Sequence, residues 1–148
     1  MEDLSLHILD IAENAIRADA KTIKIEIVED ESKDQLAICI EDDGKGMDKE
    51  TVSKVLDPFF TTKSGKRTGL GLALLSQAAQ QTGGDLRIDS ERGRGTKVTA
   101  IFQFSHPDMK PMGDILQTMA TLLTADPSIR FIYDYQAGDQ SLHFDSHE

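Results

Sequence analysis

Asp10 and Asn14 stand four residues apart in a segment of helical spacing, which puts a carboxylate and a carboxamide on one helix face. His7 and Arg17 fall on the same polar stripe, beside an apolar stripe of Leu4, Ile8, Ile11, Ala12 and Ala15. An asparagine amide oxygen is a hard ligand of the kind magnesium accepts. A carboxylate one turn earlier can hold and polarise a water for attack on a terminal phosphate. The plain alternative is a solvated helix face.

The run DDGKGM follows an apolar strand-like segment directly. Asp42 ends that segment, and Gly44 and Gly46, just before Met47, let the backbone turn sharply and approach a ligand. A carboxylate on a pocket floor accepts a hydrogen bond from an exocyclic amine such as that of adenine, while an Asx turn closing a strand is the simpler reading. Between 57 and 72 the chain reads DPFFTTKSGKRTGLGL. Pro58, Phe59 and Phe60 make a stiff apolar entry, and Thr61, Thr62, Lys63 and Ser64 supply donors for anionic oxygens. Gly69 and Gly71 stand at the start of an amphipathic helix, whose free N–H groups and positive dipole end favour a phosphate. A surface loop is the alternative, but it does not account for glycines interleaved with leucines at a helix start. The Gly-rich segment could close as a lid. The P-loop pattern GxxxxGK[ST] is absent, and the dinucleotide pattern GxGxxG lacks its place after a first strand. Gly93, Gly95 and Thr96 turn the chain into a strand, where Thr96 either reaches a base or belongs to an ordinary hairpin turn.

These groups need elements to hold them. Residues 3–18 read as a helix capped by Asp3 and Ser5. Residues 22–29 and 35–41 alternate as strands joined through a polar hairpin connection. A short helix is expected near 48–56, and another over 70–82 that ends at Gly83-Gly84. Strands follow at 85–90 and 96–104. After Pro107 and Pro111 come a helix at 112–124 and strand-like runs at 129–135 and 141–145. This order predicts an α+β two-layer sandwich, a mixed and largely antiparallel sheet with helices on one face. Residues 1–106 are expected to form one domain. Residues 107–148, too few for a core of their own, are expected to be an extension packing on it or on a partner.

Composition narrows the ligand. The net charge of −10 disfavours a nucleic-acid surface, and aromatic residues at 5% leave few stacking platforms. The clustered Lys63, Lys66 and Arg67 suit a small phosphorylated ligand better than a polymer. The lone Cys39 excludes an internal disulfide and is expected to be a buried, inert thiol. No apolar run is long enough for a membrane span and the acidic start lacks a leader pattern, so a cytoplasmic chain without membrane contact is expected.

Taken in order, the motifs resemble the GHKL superfamily of ATP-binding proteins: gyrase, heat-shock chaperone, histidine kinase and MutL. LDIAENAIRADA resembles its N box, DDGKGM its first glycine box, DPFFTTK the F box of histidine kinases, TGLGLAL the second glycine box and RGRGT the last. The likeness covers about residues 5–104 and is strongest to the catalytic ATP-binding domain of histidine kinases. It implies a Bergerat-type fold with ATP and magnesium. Asn14 would hold the metal, Asp42 the adenine amine, and Gly44, Gly46 and Met47 would shape the adenine pocket. Lys63 and the Gly69–Leu70–Gly71 turn would hold the phosphates, Phe59, Thr61, Thr62, Thr68 and Leu72 would belong to the nucleotide site, and Thr96 would support the base. Two features depart from the kinase pattern. Asp10 stands where kinases usually carry an amide and the gyrase branch a glutamate base. No hairpin with an acceptor histidine precedes the N box, and His7 lies inside it. A stand-alone kinase acting on a separate protein acceptor is therefore expected. An ATPase or an ATP-gated switch is the alternative, and an oligomer is possible.

Overall fold

The computed structural model describes residues 3–56 and 70–147. Among the described residues four α-helices and six strands succeed one another: α1 (Leu4–Arg17), β1 (Thr22–Asp30), β2 (Gln35–Asp42), α2 (Lys49–Val55), α3 (Leu70–Gln81), β3 (Asp85–Glu91), β4 (Gly95–Gln103), α4 (Ile115–Ala125), β5 (Arg130–Ala137) and β6 (Gln140–Asp145). A 3-10 turn (Glu31–Lys33) links β1 to β2 and ends at Asp34 in the left-handed region.

The strands form one sheet in the order β3-β4-β2-β1-β5-β6. Every pairing is antiparallel except β1 with β5, which is parallel from Thr22↔Arg130 to Glu29↔Ala137. Alternation assigns the faces. Ile23, Ile25, Ile27, Leu36, Ile38, Ile40, Val98, Ala100, Phe102, Phe131 and Tyr133 point to the helix layer and are buried. The expected α+β sandwich with helices on one face is the observed architecture. Cys39 corrects an expectation: it sits at an odd position of β2 and so faces the open side of the sheet, only half-buried. Burial still pushes its thiol up.

Helix α1 lies at the centre of the helix layer, packed against both α3 and α4. Asp3 caps it, accepting from the Leu6 N–H at 3.2 Å and from the Ser5 hydroxyl at 2.7 Å. Two more of its free N–H groups, those of Leu4 and Ser5, donate to the carbonyls of Pro111 and Met112 at 2.9 and 2.8 Å. The connection into α4 thus closes the start of α1. The residues after 106 share the same core through Met119, Leu122, Ile129, Phe131 and Tyr133. Asp145 pins β6 to β5 through Arg130, whose guanidinium draws the carboxyl down to about 2.

Candidate functional site

The site begins with two backbone loops that interlock. The first, residues 42–47, leaves β2. The second, residues 91–95, joins β3 to β4. Gly46 has φ +71°, and a Cβ there would lie 1.9 Å from the Glu91 carbonyl. Gly95 has φ +93°, and a Cβ there would lie 2.0 Å from the Asp42 carbonyl. Each loop carries the glycine that lets the other approach, which is the physical reason for glycine at both places. The Gly93 N–H donates to the Lys45 carbonyl at 2.7 Å and locks the pair. Gly44 faces α1: its Cβ would meet the Ala18 carbonyl at 2.8 Å, and that carbonyl accepts from the Lys45 N–H. Asp43 completes the junction by accepting from the N–H groups of Lys21 and Thr22 at 2.7 and 2.9 Å.

Above these loops a polar row crosses three strands. Asp42 pairs with Thr96 across β2 and β4, and Thr96 with Ser90 across β4 and β3, so the three share the helix-side face. On the opposite, open face their neighbours Glu41, Lys97 and Asp89, with Glu91 and Arg94, line a depression of about 370 Å³ that also touches the row. One Asp42 oxygen accepts from the Gly44 N–H at 2.8 Å. Loss of solvent raises the Asp42 carboxyl above the ordinary aspartate value; the Gly44 N–H opposes this, and Asp43 and Glu41 add to it. Ser90 Oγ accepts from the Met47 N–H at 2.8 Å, donates to the Gly95 carbonyl at 2.9 Å and lies 2.8 Å from Thr96 Oγ1.

The second wall is the face of α1. Asp10 Oδ2 accepts from the Gly71 N–H at 2.7 Å, so a carboxylate of one helix caps the first turn of another. A Cβ on Gly71 would stand 2.7 Å from that oxygen and 3.1 Å from the His7 carbonyl. Asn14 Oδ1 accepts from the Arg17 guanidinium at 2.6 Å. His7, read from sequence as part of the polar stripe, is instead buried at 2% exposure. The helix turns it away from solvent.

The structure therefore sets Asp42 and Thr96 side by side with Gly44, Gly46 and Met47 in the adjoining loop, and places Asp10, Asn14 and Gly71 along one helix junction. Leu72 is buried in the core beneath them. Phe59, Thr61, Thr62, Lys63, Thr68 and Gly69 lie outside the described residues, as does the side chain of Leu70. Sequence reading missed Ser90 and Asp43. The spacing Ser90 to Thr96 across the RGRG turn is the one signal for Ser90, since a hairpin register makes the two neighbours.

A family model described as "Histidine kinase-, DNA gyrase B-, and HSP90-like ATPase" matches residues 2–106. The chain belongs to this ATPase family.

Among curated relatives of this family, the Escherichia coli histidine-protein kinase AtoS is 43% identical over 95 residues, covering 64% of this chain and 16% of AtoS. The Escherichia coli sensor histidine kinase ZraS is 34% identical over 106 residues, covering 72% of this chain and 23% of ZraS. The ATPase-family chain thus spans less than a quarter of these relatives. Solved structures share the fold. The ATPase domain of Aquifex aeolicus MutL, complexed with ADP, superposes with TM-score 0.58 at 19% identity, covering 97% of this chain and 63% of that one. Full-length ShkA in complex with AMPPNP superposes with TM-score 0.53 at 22% identity, over 68% of this chain and 21% of that one. The difference in coverage shows that the fold of residues beyond the family match has a counterpart in the MutL structure.

Proposed function

We propose that this domain binds magnesium-ATP and acts as a stand-alone signalling kinase on a separate protein acceptor. The observation that carries the nucleotide reading is the row Asp42–Thr96, seated on interlocked glycine loops and turned to the helix side of the sheet, where the base cleft would lie. The Asp42 carboxylate would take the adenine amine, and Gly44, Gly46 and Met47 would shape the pocket around the ring. The phosphates would then run toward Gly71, with Phe59, Thr61, Thr62, Lys63, Thr68 and Gly69 completing that side. Membership of the ATPase family and likeness to sensor kinases support the same reading.

The donor set fits magnesium better than a metal held by protein alone. Asn14 offers one hard oxygen on an accessible helix face, and among the described residues no cluster of three acidic, histidine or cysteine side chains exists to cage an ion. Magnesium commonly takes one or two protein oxygens and completes its shell with phosphate and water. Asn14 would hold the ion once Arg17 releases the amide oxygen. The ion would offset charge on the phosphates. His7 is buried in α1 and so is not placed to accept a phosphoryl group.

Calorimetry with MgATP tests the site. Asp42→Ala and Asn14→Ala should each cost on the order of 1.5–3 kcal/mol, roughly ten- to hundredfold in affinity. Wild-type affinity in both variants sinks the nucleotide reading. Incubation of the pure chain with labelled ATP and candidate partners, scored by mass spectrometry for phosphate and ADP, tests transfer. Persistent binding without transfer to any partner counts against the kinase.

Asp10 favours a second reading, ATP hydrolysis driving a conformational cycle, because a carboxylate and not an amide stands one turn before Asn14. Asp10→Asn keeps an acceptor for the Gly71 N–H and removes only the base. Magnesium-dependent phosphate release should fall roughly a hundredfold or more in that variant, with MgATP binding retained. Unchanged release removes Asp10 from the mechanism.

A further inference from the structure

Hydroxyl protons in the polar row can be counted. A serine hydroxyl has one proton to give and two lone pairs to accept with. Ser90 Oγ has three polar neighbours: the Met47 N–H, which can only donate, the Gly95 carbonyl, which can only accept, and Thr96 Oγ1. Giving its proton to Gly95 leaves Ser90 two lone pairs, one for Met47 and one for Thr96. All three neighbours are then satisfied, and Thr96 must donate to Ser90. The reverse arrangement, Ser90 donating to Thr96, strips the Gly95 carbonyl of this partner.

With its proton turned to Ser90, Thr96 presents only lone pairs to the cleft. Asp42, its cross-strand neighbour, is also an acceptor, with one oxygen already taken by the Gly44 N–H. We infer that Ser90 is a specificity-determining residue of the nucleotide site: it fixes the Thr96 hydroxyl as an acceptor, so that the cleft floor selects a purine with an amino group at position 6 over one with a carbonyl there. Ser90 acts through Thr96 and through the Met47 backbone, and is a positioning residue. This rests on the reading of the cleft as the base site.

The test uses the full chain with magnesium complexes of ATP and inosine triphosphate, which differ at position 6, amino against oxo, and at N1, lone pair against N–H. Wild-type protein should bind ATP more tightly. Thr96→Val leaves the contacts of Ser90 with Met47 and Gly95 in place. It should weaken ATP about tenfold and leave inosine triphosphate unchanged, the size of one hydrogen bond. Ser90→Ala frees the Thr96 proton to point into the cleft. The ratio of the two affinities should narrow about tenfold, and Ser90→Thr should restore it. In the Thr96→Val background Ser90→Ala should leave the ratio where it is. A serine that merely braces the turn would change both affinities by the same factor. Equal changes in Ser90→Ala, or a greater loss of inosine triphosphate than of ATP in Thr96→Val, overturn the inference while leaving ATP binding intact. If Ser90→Ala does not fold, Thr96→Val alone decides the proton's direction. A wild-type chain that binds neither nucleotide overturns both the inference and the functional reading beneath it.

Discussion

A chain cut after His106 loses its cooperative unfolding transition, although the family match ends there. The cut removes β5, which is the parallel partner of β1 along Thr22–Glu29. It leaves the backbone groups on that side of β1 with water in place of a strand. The cut also takes Met119, Leu122, Ile129, Phe131 and Tyr133 out of the common core. At about 1.5–3 kcal/mol for each large side chain, the lost burial is on the order of 10 kcal/mol, comparable with the roughly 5–15 kcal/mol that holds a domain folded. The first turn of α1 loses the Pro111 and Met112 carbonyls as well. Because α1 carries Asp10 and Asn14, the damage reaches the nucleotide site. Urea denaturation followed by circular dichroism and by a hydrophobic dye checks this. A sharp transition at the full-length midpoint, with no dye binding, shows that residues 107–148 are dispensable.

Gly95→Ala should lower the melting temperature by about 10 °C or more and abolish nucleotide binding. Its φ of +93° is a conformation that alanine adopts at a cost on the order of 1–3 kcal/mol. The added Cβ must also stand 2.0 Å from the Asp42 carbonyl, a backbone atom that cannot swing aside. Relief requires moving β4 away from the 42–47 loop, which separates Thr96 from Asp42. Gly93→Ala is the internal control. Gly93 has φ +84°, but its Cβ would meet nothing within 4 Å. The control bears the conformational cost alone, so the difference between the two variants isolates the close approach. At roughly 2–4 °C per kcal/mol for a chain of this size, that difference is measurable by calorimetric melting. Equal melting temperatures for the two variants remove the interlocked-loop account. Gly46→Ala, with its Cβ 1.9 Å from the Glu91 carbonyl, should behave as Gly95→Ala does.

Much of this architecture is written in short-range pattern. Alternation over Ile23, Ile25 and Ile27, and over Leu36, Ile38 and Ile40, yields strands and their buried face, because a pleated strand repeats every two residues. The helix at Leu70–Gln81 ends where Gly83-Gly84 predicts, with the Gly84 N–H closing on the Ala79 carbonyl at 2.9 Å. The glycines at 44, 46, 71, 93 and 95 mark in advance where backbone must turn or come close. The order of the five motifs was enough to indicate the ATPase family to which the chain belongs.

The tertiary structure alone decided what each of those groups touches. Nothing local says that Gly46 makes room for Glu91, or that β5 lies parallel to β1. Cys39 looked buried because its neighbours in sequence are apolar, yet the pleat turns it to the open face. The Ser90–Met47 bond spans 43 residues and the Asp10–Gly71 bond spans 61. Periodicity reports which face of an element is apolar. It carries no information about which polar atom of a distant element will arrive there, because that depends on strand order and register. So the sequence by itself determined that Asp10, Asn14, Asp42 and Thr96 were candidates for one chemistry. Folding decided that Asp10 caps α3, that Asn14 is held by Arg17, and that Ser90 meets both the Met47 N–H and the Thr96 hydroxyl.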